Sequence, residues 1–180
     1  LCLQPVPGIP RIFYMQENHD RLILVEEMID GMSLAALVGQ KPEMATEEVA
    51  AHWMEQLLGI ILALHQADPP IVHRDIKPDN LVISCTGDLY LVDLNSARTY
   101  AGGEERDTQL LGTAGYAAPE QYGFGESDQR TDIYSFGILF NYLLSGSLSR
   151  TRIAPGRWEA LIRKCTELDP DNRYQDIESL

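Results

Sequence analysis

The 180-residue chain is short of positive charge, of cysteine and of long apolar runs. Lysine and arginine number 14 against 27 aspartates and glutamates, a formal net charge of −13. A protein that grips a phosphate backbone needs the opposite sign, so the balance argues against a nucleic-acid binder. An acidic chain can still hold a nucleotide where a metal ion bridges its carboxylates to the phosphates. The three cysteines, Cys2, Cys85 and Cys165, lie far apart without CxxC spacing, which supports neither a zinc site nor a disulfide framework. They read as reduced thiols of a cytoplasmic protein. The richest apolar stretch, LLGIILAL at 57–64, is too short to cross a membrane. No basic leader is visible either, so no membrane segment is expected. Hydrophobic residues at 44% and charged ones at 23% are ordinary for a globular chain, and the length favours one domain.

The local patterns are clear. RIFYMQE and RLILVEEM, either side of Asn18-His19-Asp20, predict an antiparallel hairpin. Ser33 can cap a short helix in GMSLAAL, and Thr46 a long one with Glu47 and Glu48 in its first turn. Val49, Trp53, Leu57, Ile60, Ile61 and Leu64 form one apolar stripe, which is core rather than a cofactor box. Pro69-Pro70 ends that helix, and IVHRD reads as a short strand entering a loop. NLVIS and LYLVDL bracket Cys85–Asp88 as a second hairpin. Residues 95–131 show little periodicity and predict a long irregular segment, a kind that is usually functional or disordered. TDIYSFGILFNYLLSG is apolar nearly all round and predicts a buried helix ending at Gly146. RWEALIRKCTEL predicts a third helix with Trp158, Leu161, Ile162, Cys165 and Leu168 inward. Helices outweigh strands.

Chemistry concentrates in HRDIKPDN at 73–80. The second hairpin would bring Asn80 and Asp93 together at its open end. An amide oxygen and a carboxylate suit Mg²⁺, a hard cation that takes oxygen ligands. Asp75 could accept a hydroxyl proton, and Lys77 could neutralise a transferring phosphoryl group. That division of labour is what phosphoryl transfer needs: positioning and electrostatics. Singly, such residues are turn formers or solvated charges. Together with LVDLN and with GTAGYAAPE at 112–120, they are too specific for accident.

In this order of motifs, through TDIYSFG at 131–137 and DPDNRY at 169–174, the chain resembles a eukaryotic-type (Hanks-type) serine/threonine protein kinase, in the style of bacterial members. The resemblance implies an α+β fold: mainly the helical C-terminal lobe, at 28–180, with a remnant β-hairpin of the N-terminal lobe at 1–27. It implies ATP and Mg²⁺ as cofactors and Ser/Thr-bearing proteins as substrates. Asp75 would be the catalytic base, with Lys77 and Thr113 beside it in the serine/threonine pattern, and Asn80 and Asp93 would hold the metal. Glu27 and Met28 would offer hinge backbone groups to adenine, Glu26 would guard the back pocket, and Val82 would floor the base. Asp132 would anchor the catalytic loop, Arg74 would serve the activation segment as a structural residue, and Glu120 would pair with Arg173 to brace that segment. Thr99 and Thr108, near Arg74 and Arg98, would be candidate phosphorylation sites.

The pattern departs from the family in three places. Asp93-Leu94-Asn95 stands where DFG is usual, with the metal ligand intact. The stretch SGSLSRTRIAPGR is short, which reads either as a reduced substrate platform or as a plain loop deletion. No Gly-rich loop and no Lys–Glu pair precede the first hairpin, so the sequence reads as entered partway through a kinase. A chain without that lid would lose phosphate positioning, and alone it could be inactive. Two other readings stay open: a pseudokinase-like binding or scaffold module, and a small-molecule kinase sharing the fold. Apolar hairpin residues such as Ile23 and Val25 would be left uncovered.

Overall fold

The computed structural model describes residues 6–18, 21–100, 113–123 and 125–180. Strands β1 (Ile12–Asn18) and β2 (Arg21–Glu26) pair antiparallel, with Asn18 opposite Arg21. The expected hairpin therefore forms, while its turn residues His19 and Asp20 lie outside the described residues. Its apolar side chains are open to solvent, with Phe13 66%, Ile23 45% and Val25 47% exposed. A two-stranded ribbon gains little stability by itself, and this one has no third strand among the described residues.

The next strand, β3 (Gly31–Ser33), is short and runs directly into α1 (Leu34–Gln40). Ser33 ends the strand and caps the helix, its hydroxyl accepting the Ala36 N–H at 3.2 Å. Helix α2 (Glu47–His65) opens in the same way on Thr46, which accepts the Val49 N–H at 3.3 Å. From its predicted stripe Trp53, Leu57, Ile60, Ile61 and Leu64 are buried, and Val49 lies half-buried at the edge. Each fully buried side chain of this size contributes about 1.5–3 kcal/mol, so α2 is a principal wall of the core.

After α2 come β4 (Ile71–Val72), β5 (Leu81–Ser84) and β6 (Leu89–Leu91). The second predicted hairpin is β5–β6, in the register Leu81–Leu91 and Ile83–Leu89. It takes β3 along its other edge, in the order β3-β5-β6, a pairing that sequence reading did not anticipate. A two-residue strand β7 (Arg98–Thr99) pairs with β4. Helix α3 (Gln129–Ser145) starts on Asp128, whose carboxylate accepts the Arg130 N–H at 2.8 Å. It ends on Gly146 at φ +69°, a left-handed conformation that glycine adopts without a Cβ penalty.

Helix α4 (Glu159–Cys165) packs across α3 at Gly137. A Cβ there would stand 2.5 Å from the Cys165 Cβ, so only glycine permits this approach. The third helix is shorter than expected, and Leu168 is not part of its buried face but 49% exposed. The Thr166 hydroxyl donates back to the Ile162 carbonyl at 2.8 Å, closing the helix. Pro170 then opens a new turn, having no N–H to continue the old one. Within 95–131 the described parts are not structureless: they include β7, a turn at Pro119–Tyr122 and the start of α3. The architecture is α+β, with small antiparallel sheets set against a helical core.

Candidate active site

Strand β4 delivers the chain into His73–Asn80, which closes in a single helical turn at Pro78–Asn80. Three elements hold this loop. Asp132, fully buried in the first turn of α3, accepts the backbone N–H groups of His73 at 2.9 Å and Arg74 at 2.8 Å. It also bonds His65 Nε2, at the end of α2, at 2.9 Å. Burial alone would push the Asp132 carboxyl up, but the hydrogen bonds from His65 and from the His73 backbone N–H help outweigh it, and the carboxyl sits below its ordinary range.

Arg74 is left-handed at φ +67°, a conformation costing about 1–2 kcal/mol for a residue with a Cβ. Its surroundings enforce it. Asp132 takes its N–H, Gln121 Nε2 donates to its carbonyl at 2.7 Å, and its own Nε donates to the Ser96 carbonyl at 2.8 Å. Strain kept by this many contacts marks a place where backbone direction matters.

That direction sets Asp75. One carboxylate oxygen accepts from Lys77 Nζ at 2.8 Å and Asn80 Nδ2 at 3.0 Å. The other accepts from the Thr113 hydroxyl at 2.8 Å, and that hydroxyl accepts from Lys77 Nζ at 2.7 Å. Asn80 Nδ2 donates to the Asp75 carbonyl as well, at 2.8 Å. Partial burial raises the Asp75 carboxyl, but the Lys77 and Thr113 hydrogen bonds and the lysine charge lower it more. It is therefore ionised at neutral pH, an acceptor held at fixed orientation. His73 is buried and kept neutral, since desolvation exceeds the pull of Asp132, Asp75 and Asp93. Its Nδ1 accepts the Asp75 N–H at 3.3 Å.

The second hairpin sets Asp93 next to this group in the chain path. The Asn80 carbonyl accepts the Val92 N–H at 2.9 Å, and Asp93 follows, itself left-handed at φ +65°. Asp93 Oδ1 accepts the Asn95 N–H at 3.1 Å, a local turn in which Asn stands at the third position. With the Asn80 amide nitrogen engaged by Asp75, the amide oxygen is its remaining end. An amide oxygen and a carboxylate fit a hard cation such as Mg²⁺.

Glu120 and Arg173 meet as a buried bidentate pair, at 2.7 Å and 2.9 Å. The adenine-contacting candidates come from other elements: Glu27 and Met28 follow β2, and Val82 lies in β5 just after Asn80. The Glu27 N–H is spent on the Arg11 carbonyl at 2.8 Å, Met28 is 93% exposed, and Glu26 sits exposed at the end of β2. Val82 lies in β5 between Ser33 and Tyr90. Thr99 is paired with Ile71 in β7, and Thr108 lies outside the described residues. Two positioning side chains went unnoticed in the sequence, His65 and Gln121. Neither has a local signal, because each acts on a loop far away in the chain.

A carboxylate clamped by lysine, threonine and asparagine, on a loop anchored to a buried acid, is an arrangement suited to positioning a hydroxyl for phosphoryl transfer. The comparisons agree: the model of the protein kinase domain matches residues 2–164, and the chain belongs to that family. Serine/threonine-protein kinase PknL of Mycobacterium tuberculosis is 33% identical over 177 aligned residues, covering 85% of this chain and 44% of that protein. Serine/threonine-protein kinase PrkC of Bacillus subtilis is 31% identical over 198, covering 97% of this chain and 30% of that protein. The chain thus spans less than half the length of these curated relatives. No helix among the described residues is long and apolar enough to cross a membrane.

Proposed function

We propose that this chain carries the catalytic lobe of a protein serine/threonine kinase, which moves the γ-phosphoryl group of ATP onto Ser or Thr hydroxyls of proteins. The observation that supports this best is the Asp75 carboxylate, ionised and held between Lys77, Thr113 and Asn80. Asp75 orients the acceptor hydroxyl and takes its proton as the oxygen bonds to phosphorus and the bond to the leaving ADP breaks. Lys77 offsets charge on the group in flight, and Thr113 keeps the carboxylate aimed. Asn80 and Asp93 would hold Mg²⁺ through their oxygens. The metal, when bound, neutralises charge on the nucleotide phosphates.

The Glu27 carbonyl and the Met28 backbone meet adenine, with Val82 beneath it. Residues 1–27 are the small-lobe side and 28–180 the large lobe. Asp132, Arg74 and the Glu120–Arg173 pair keep the loop and the activation segment in place, and Thr99 and Thr108 are the phosphorylation candidates. The free thiols Cys85 and Cys165 suit a reducing, cytoplasmic setting.

Calorimetric titration with ATP, with and without Mg²⁺, would be paired with transfer of labelled phosphate to a Ser/Thr peptide. Metal-dependent ATP binding is expected, with transfer that falls at least about 100-fold in Asp75→Asn while binding persists. Unchanged transfer in Asp75→Asn sinks the catalytic reading. ATP binding without any transfer by the unaltered chain would leave a pseudokinase-like binding module.

A further inference from the structure

Residues 133–158 contain no aspartate or glutamate, in a chain whose net charge is −13. The same stretch carries Arg150, Arg152 and Arg157. Arg157 is neutralised by Glu47, its Nε 2.7 Å from Oε1. Arg150 and Arg152 are exposed and form no ion pair among the described residues. Two uncompensated guanidinium groups on so acidic a surface are out of character for a merely solubilising loop.

The loop that bears them is built rather than loose. Asn141 in α3 is fully buried, and its Nδ2 is shared among the carbonyls of Ser147, Ser149 and Arg152 at 3.0, 3.1 and 3.1 Å. Its Oδ1 accepts the Ala154 N–H at 2.9 Å. The hydroxyls of Ser145, Ser147 and Ser149 each accept the N–H two residues on. A loop held this way presents its side chains with little ordering left to do on binding.

Its position is next to the acceptor end of the site. Gly115 lies two residues beyond Thr113, at φ +94°, and a Cβ on it would be 3.1 Å from Leu148 Cδ1. Arg150 is close enough to Tyr134 to oppose the upward shift that burial imposes on that phenol. Tyr134 packs with Ala118 and Tyr116 under the same segment. A peptide whose hydroxyl reached Asp75 would cross this ground within a few residues, at about 3.3 Å per extended residue.

We propose that Arg150 and Arg152 select substrates bearing a carboxylate side chain within about four residues of the acceptor Ser or Thr, a reach set by that extended spacing. This rests on the kinase reading, which seats the acceptor hydroxyl at Asp75. A guanidinium presents a planar donor fork that matches a carboxylate. The chain as a whole is strongly acidic and disfavours such a peptide, so a preference for it calls for a local cluster of positive charge such as this loop. The short stretch between α3 and α4 then acts as a compact specificity element.

The test is fluorescence anisotropy with three labelled Ser-centred peptides: one neutral, one with glutamates at the second and third positions after Ser, one with them before it. The proteins are the unaltered chain, Arg150→Gln/Arg152→Gln, and Asp75→Asn, with circular dichroism to establish folding. The double substitution leaves the backbone contacts to Asn141 available. One acidic peptide should bind roughly 3- to 10-fold tighter than the neutral one, and the preference should fade with added salt. It should vanish in the double variant and persist in Asp75→Asn. Equal affinities in the unaltered chain, no binding of any peptide, or an undiminished preference in the folded double variant each overturn the proposal. Phosphate transfer measured in parallel separates the two readings. Arg-dependent preference without transfer leaves this inference standing and counts against phosphotransfer by this chain alone; transfer without that preference refutes only this inference.

Discussion

The buried pair Glu120–Arg173 gives the sharpest stability prediction. All five N–H groups of Arg173 are used: two on Glu120, and one each on the carbonyls of Glu167, Arg130 and Leu168, at 2.7–3.0 Å. Its guanidinium also lies over the Tyr134 ring, 4.9 Å from the centroid. Glu120→Ala strands this cation, and Arg173→Met strands the carboxylate, leaving it only the Thr131 hydroxyl at 2.9 Å. Each single change should cost about 3–5 kcal/mol, because an unpaired buried charge is left behind. Arg173→Met should cost the more, since three carbonyls also lose a donor. At this chain length the melting temperature should drop by roughly 6–20 °C. The double variant Glu120→Ala/Arg173→Met should be clearly more stable than the sum of the two losses implies. Urea and thermal unfolding followed by circular dichroism would measure all four proteins. A single substitution costing under about 1 kcal/mol, or strictly additive losses, would refute the argument that the pair acts as one buried unit.

Other expectations are simpler to test. Gly137→Ala should destabilise by about 1–3 kcal/mol in urea unfolding, because the methyl meets Cys165 at 2.5 Å and α4 must move away. Thr46→Ala should cost about 1 kcal/mol through loss of the α2 cap, and Thr46→Ser should restore most of it. His73 is held neutral by burial, so its folded pKa lies below the ordinary value of 6.5 and the unfolded chain binds the extra proton. The stability linked to it is complete above pH 6.5 and is lost as pH falls through the folded pKa, at up to about 1.4 kcal/mol per pH unit. Urea midpoints between pH 7.5 and 5.5 should therefore decline less steeply in His73→Gln, and identical slopes would count against the reading.

Much of the architecture was legible locally. The two hairpins and the helices α2 and α3 follow from period-two and period-3.6 patterns, from Thr46 as a cap, and from Gly146 as a stop, whereas the Asp128 cap of α3 emerged only in the structure. The candidate site was legible as strings, since HRDIKPDN, LVDLN and GTAGYAAPE carry its proposed residues at fixed short spacings. Leu168 was misjudged because helical periodicity continues past Thr166, whereas the chain turns to hand the Leu168 carbonyl to Arg173. The adenine-contacting candidates Glu27, Met28 and Val82 sit in the segment after β2 and in β5, away from the motif strings that mark the rest of the candidate site.

By itself, then, the sequence determined which residue types stand ready for phosphoryl transfer and which segments become helix or strand, because those depend on neighbours within a turn or two. Only the tertiary structure decided that His65 would bond Asp132 across 67 residues, that Gln121 would clamp Arg74 across 47, and that Asn141 would set an arginine-bearing loop beside Gly115. The reason is burial. Such polar side chains are stable inside only where a partner satisfies them, and those partners come from chain distant in sequence that the collapsed core has already brought near.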